Sequence, residues 1–81
     1  MSGQDAILDL YLGQAYAAQH LGKGNPADVF RLLSAALEAN ADLRAEAERR
    51  RSMYEAVGPV RCVITANHLS VLEKVLKEVR A

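Results

Sequence analysis

Between Pro26 and Gly58 the chain runs without an intervening glycine or proline, and that uninterrupted stretch limits what it can fold into. Within it Val29, Leu33, Ala36, Asn40, Leu43, Ala47, Arg50, Tyr54 and Val57 follow one another in alternating steps of four and three. That is the spacing of a single stripe along a helix, and it predicts a long central helix packed at a shallow angle against its neighbours. Only Asn40 and Arg50 among these positions are polar. Asn40 offers the one alternative, because an asparagine can end one helix and cap the next. The alanines on either side favour continuity.

Two punctuated stretches bound this segment. Gly22-Lys23-Gly24-Asn25-Pro26 stops a preceding helix: Gly22 suits a left-handed cap, and Asn25 with Pro26 suits the cap and first turn of the next helix. Gly58-Pro59 is the second break. From Gln4 to about Leu21 the apolar stripe reads Ile7, Tyr11, Ala15 and Ala18, widened by Leu8, Leu10 and Leu12. Ser2 or Gly3 can cap it, Asp5 and Asp9 favour its positive end, and His20 its negative end. Past Gly58, Val60 and Cys62 to Thr65 are compatible with a short strand, but a helix starting at Pro59 or Asn67 suits an otherwise helical chain better. Its stripe is Leu69, Leu72, Leu76 and Val79, widened by Val71 and Val75, with Glu73 and Lys77 outside and Lys77 and Arg80 near the C-terminal dipole. The expected fold is all-α: a small antiparallel helical bundle of three helices, or four if the central one breaks, in one domain spanning 1–81.

A core in 81 residues gives roughly 3 to 5 kcal/mol of net stability, and chains this small often add a disulfide, a metal or a second subunit. Cys62 is the only cysteine, so no internal disulfide forms. It reads as a small buried hydrophobe in a reducing compartment. Ten basic residues balance ten acidic ones, which removes long-range attraction to phosphate or an anionic membrane. The asymmetry is mild: residues 1–40 carry four acidic and two basic residues, and 41–81 carry six acidic and eight basic. Without a membrane-length apolar run or a basic, apolar start, the expected location is the cytoplasm.

Arg49-Arg50-Arg51, with Arg44 upstream, is the densest charge. Three consecutive helical residues spread over about 200°, so these arginines cannot line one groove. A solvated, salt-bridged face with Glu46 and Glu48 is the first reading, a protein contact the second and a nucleic-acid contact the third. Cys62 and His68 are six residues apart, on opposed faces of one helix, which does not make a nucleophile and base. Neither they nor His20 provide metal-ligand spacing. Gly22-Lys23-Gly24 lacks the spacing and ending of a phosphate loop and reads as a turn. No catalytic, cofactor or metal residue is assigned. Tyr11, Tyr16, Phe30, Met53 and Tyr54 are the large side chains, and those left outside the core are natural anchors. The candidate partner contacts are Tyr11, Phe30, Arg49, Arg50, Arg51, Tyr54, Leu69, Leu72 and Leu76.

Leu12-Gly13-Gln14-Ala15-Tyr16 followed by Ala36-Leu37-Glu38-Ala39-Asn40 resembles the two helices of a tetratricopeptide repeat over residues 9–40. The connection is longer than in that repeat and the proline after the second helix is missing. The resemblance implies helical-hairpin packing and protein binding. The functional expectation is a small protein-protein interaction module without catalysis, such as the adaptors, chaperones and inhibitors of bacteria and phages. Its partner is another protein or a second copy of this chain. The alternative is a nucleic-acid-binding regulator using Arg44, Arg49, Arg50 and Arg51.

Overall fold

The computed structural model describes residues 3–57 and 62–79, and these form four helices: α1 (Gly3–His20), α2 (Pro26–Ala39), α3 (Ala41–Ala56) and α4 (Val63–Glu78). The described residues contain no strand, so Cys62 to Thr65 is not extended sheet. Helix α4 starts at Val63, between the two starts the sequence allowed. The break at Gly58-Pro59, Val60 of the strand alternative, the Ser2 cap and Arg80 lie outside the described residues.

The turn chemistry before α2 is as expected. Gly22 adopts φ 65°, a conformation that costs glycine little, and the Ala17 carbonyl accepts from the backbone N–H of both Leu21 and Lys23. Asn25 caps α2, its Oδ1 accepting from Ala27 N at 2.9 Å, and Pro26 occupies the first turn.

The central helix is a correction: it is two helices joined by Asn40. Its backbone is extended, with φ −138° and ψ 103°. Its Oδ1 accepts from the N–H groups of Asp42 and Leu43 at 3.0 and 3.1 Å, a cap worth about 1 kcal/mol. Its Nδ2 donates to Gln4 Oε1 at 3.3 Å. A helix continuous from 26 to 57 would be about 48 Å long, whereas the molecule measures 29 × 29 × 25 Å. Breaking at Asn40 lets both halves of the stripe cover one core.

The Asn40–Gln4 bond brings the end of α2 to the start of α1, so these helices are antiparallel. Glu48 and Arg51 of α3 line one groove with Glu73, Leu76 and Lys77 of α4. Every helix packs on every other. At the centre Leu8, Leu12, Leu33, Leu37, Leu43, Leu72 and Val75 are fully enclosed, with Ala15 and Ala47 allowing close approach between helices. Ala15 and Ala18 of the expected α1 stripe are buried and Tyr11 packs against the core, but the helix is rotated slightly from the expected setting. Leu8 and Leu12 point inward and Ile7 and Leu10 outward, because both sides of this helix are apolar and the core takes only one.

Candidate functional site

The three consecutive arginines go to three places. Arg49 lies along its own helix on Glu46, with Nε donating at 2.9 Å, and Arg51 Nη1 reaches Glu55 at 3.1 Å. Arg50 turns inward. Its side chain is only 8% exposed, and it donates to Asp9 at 2.6 Å, to Tyr54 Oη at 3.4 Å and to Asp5. Burial opposes the Arg50 charge, but the bonds to Asp9, Tyr54 and Asp5 outweigh it and hold the guanidinium above its ordinary range. Asp5, beside Glu46 and next to Arg50, is held below the usual carboxylate range. This cluster ties α1 to α3, and the arginines form no continuous basic face.

His68 is half-buried. It meets Tyr16 edge-on, with ring centroids 6.5 Å apart, and its Nε2 is buried without a hydrogen-bond partner among the described residues. Burial lowers its proton affinity, the Arg50 charge lowers it further, and Asp9 works the other way. A lowered folded value means that the unfolded chain takes up the proton first as pH falls. Stability is therefore fully present above the ordinary histidine range and declines as pH falls from about 6.5 towards the folded value. Melting temperature followed by circular dichroism should drop across that window in the wild type, and the drop should flatten in His68→Leu. The Asp5 contribution is lost lower, as pH falls below its ordinary value of 3.8.

Cys62 is also corrected. It is exposed, at the N-terminal cap of α4, where the Thr65 and Ile64 backbone amides and then the Thr65 hydroxyl hold the thiol below its usual range. His68 turns its Nε2 into the bundle, away from any role as a base for this thiol. Among the described residues no three His, Cys, Asp or Glu side chains converge as metal ligands, and no helix is long and apolar enough to cross a membrane. A groove of about 290 Å³ opens between α1, α2 and α4, lined by Ala15, Gln19, Phe30, Val71, Ser70 and Lys74. Lys74 Nζ lies 5.6 Å from the centre of the Phe30 ring.

The candidate partner contacts separate by burial. Leu72 is fully enclosed and Arg50 is 6% exposed, so neither is free to meet a partner. Tyr11, Phe30, Tyr54 and Leu76 are half-buried against the core, Leu69 and Arg51 are also half-buried, and Arg49 is exposed.

Residues that sequence reasoning placed in or beside the core, or passed over, stand exposed. Leu10 is 61% exposed, Leu21 58%, Leu32 56% and Ile7 41%. Successive helical residues are turned by about 100°, which places Ile7 and Leu10 on the outward side of α1 with Gly3, Gln14 and Ala17, and the exposed Leu21 directly follows the last residue of the helix. No charged residue interrupts that side. Asp5, Asp9 and Tyr16 mark the flank of α1 that meets Arg50 and His68, so α2 lies on the opposite flank, next to Ile7. On α2, Phe30 faces α4, so α1 lies on the Val29 and Ala36 flank, and Leu32 is the next position outward. Leu32, Ala35 and Ala39 therefore continue the α1 surface across the hairpin. Asp28, one turn before Leu32 on the same line, pairs with Arg31. A second exposed group, Met53, Val57, Val63 and Ile64, flanks residues 58–61, which lie outside the described residues.

Comparison with models of known families, with curated proteins and with solved structures gave no match to this chain.

Proposed function

We propose that this chain is a protein-protein interaction module, an adaptor, chaperone or inhibitor of a larger protein, that binds through an apolar helix face and catalyses no reaction. The observation that carries this reading is the outer side of the α1–α2 hairpin, where Ile7, Leu10, Leu21 and Leu32 stand exposed without an interrupting charge on α1. Exposed apolar surface that continues across two helices marks a contact site more often than scattered single residues do. The resemblance of residues 9–40 to a tetratricopeptide hairpin points the same way. Arg49, Arg50 and Arg51 each have an acidic partner within the chain, which weighs against the nucleic-acid alternative.

The test is capture of partners from extract of the source cell with the purified chain as bait, at low and at high salt. Capture through this face persists at high salt, is lost in Leu10→Glu and Leu32→Glu, and is retained in Arg49→Ala and Arg51→Ala. Capture that dissolves with salt and depends on the arginines overturns the reading, because salt-sensitive binding is the mark of phosphate contact.

A further inference from the structure

We infer that the outer side of the α1–α2 hairpin is where two copies of this chain pair about a two-fold axis. This rests on the interaction reading above and names the partner. The starting point is Gly13. It lies in the interior of α1, exposed, with nothing within 4 Å of where a Cβ would sit. Its φ is not among the positive ones, so the backbone does not require glycine. A glycine in a helix interior is unfavourable relative to alanine, and nothing among the described residues uses the missing side chain. The close approach of another backbone would use it.

Gly13 belongs to the line Ala6, Leu10, Gly13, Ala17, spaced four, three and four residues apart, as in helices that pack lengthwise. Laid antiparallel on itself, with the axis between residues 11 and 12, this line sets Leu10 over Gly13 of the partner subunit and Ala6 against Ala17 of the partner subunit. Each projection then meets a recess, and the match is its own reciprocal, as a two-fold interface requires. Charge permits the same pairing. A two-fold axis brings like surface to like surface, and the line itself carries no charge; the exposed Asp9 beside it is paired with Arg50, and Asp28, one turn before Leu32, is paired with Arg31.

The area suffices for a modest dimer. Two helices about 9 Å apart and roughly 21 to 27 Å long present about 500 Å² in projection. The corrugation of interlocking side chains raises the accessible area lost toward the ~800 Å² per partner of standard interfaces.

Sedimentation of the full chain from micromolar to several hundred micromolar tests the assignment. The wild type is expected to reach twice its 8.8 kDa mass at the upper end and to dissociate on dilution. Gly13→Leu is the decisive variant. Leucine is the better helix former and has open space in the single chain, so at low concentration its melting temperature should rise while dimer affinity falls at least about tenfold. Leu10→Glu should stay monomeric with unchanged helix content, and Met53→Glu, on the other exposed apolar group, should dimerise like the wild type. A wild type monomeric throughout, or a Gly13→Leu dimer as tight as the wild type, overturns the pairing. The two readings fail separately: a monomer that still captures another protein through Leu10 defeats the dimer alone, and a wild-type dimer whose variants behave as stated stands even if no other protein is captured.

Discussion

Leu72→Ala is expected to lower the free energy of unfolding by about 3 kcal/mol, the middle of the range for leucine truncation in a packed core. A single small core supplies roughly 3 to 5 kcal/mol in all, so the variant should be partly unfolded at room temperature. Leu72 is wholly enclosed and belongs to the same cluster as Leu8, Leu33 and Val75. Its removal leaves a void bounded by several helices at once, which leaves little freedom to collapse. Urea melts followed at the helical circular dichroism band would read the change. The contrast with Leu10→Ala is the sharp part. Leu10 is 61% exposed, and its truncation should alter the stability of the single chain by less than about 0.5 kcal/mol. Had Leu72 been a partner contact, the two substitutions would exchange roles: Leu72→Ala would fold normally and lose binding. A wild-type urea midpoint in Leu72→Ala would remove that residue from the core.

Arg50→Ala is the second large effect, with an expected loss of about 2 to 3 kcal/mol, the range for a charged hydrogen-bonded group removed from a mostly buried pair. The figure sits below that of a fully enclosed pair because the Asp9 side chain is 60% exposed and water can replace part of what is lost. The cost arises in what remains. Asp5 would stay beside Glu46, whose side chain is only 12% exposed, with Arg49 as the nearby cation. The deficit relative to wild type should therefore shrink as pH falls into the carboxylate range and these acids take up protons. Arg49→Ala and Arg51→Ala serve as controls. Each has its closest partner on its own helix, Arg49 with Glu46 and Arg51 with Glu55, and each loss should cost no more than about 0.5 kcal/mol. Equal effects from all three arginines would place Arg50 on the surface with its neighbours.

What could be read from the sequence follows the range of the interactions involved. The turn at residues 21–25 was legible because its causes are local: Gly22 takes a left-handed backbone and Asn25 caps the next helix from two residues away. Asn40 was ambiguous because its cap geometry competes with the helix preference of adjacent alanines. The fit of both halves over one core, a property of the whole chain, decides between them. The rotation of α1 was hidden for a related reason. Ile7 and Leu10 on one side, and Leu8 and Leu12 on the other, have equal claim to the interior until the neighbouring helices are placed. The dispersal of Arg49, Arg50 and Arg51 followed from helix pitch. The four-three stripe also put Arg50, and neither neighbour, on the inward face, but its acidic partners could not be read, since they lie 41 and 45 residues away. Cys62 was misplaced by the general tendency of cysteine to be interior, which gives way at the first turn of a helix. The apolar hairpin surface appears only once the core has taken what it can hold, and the surplus on α1 and α2 is the signal in the sequence that could have found it.

The join at Asn40 leaves α2 and α3 no slack. One additional residue there would rotate everything downstream by about 100° and advance it by about 1.5 Å if taken into the helix, swinging Arg50 away from Asp5 and Asp9 and turning Leu43 and Ala47 out of register with the interior. The joint thus acts as a length gauge for the molecule. Insertions and deletions belong in the loop after His20, where exposed glycines absorb them, and not at the corner where two helices share a single amino acid.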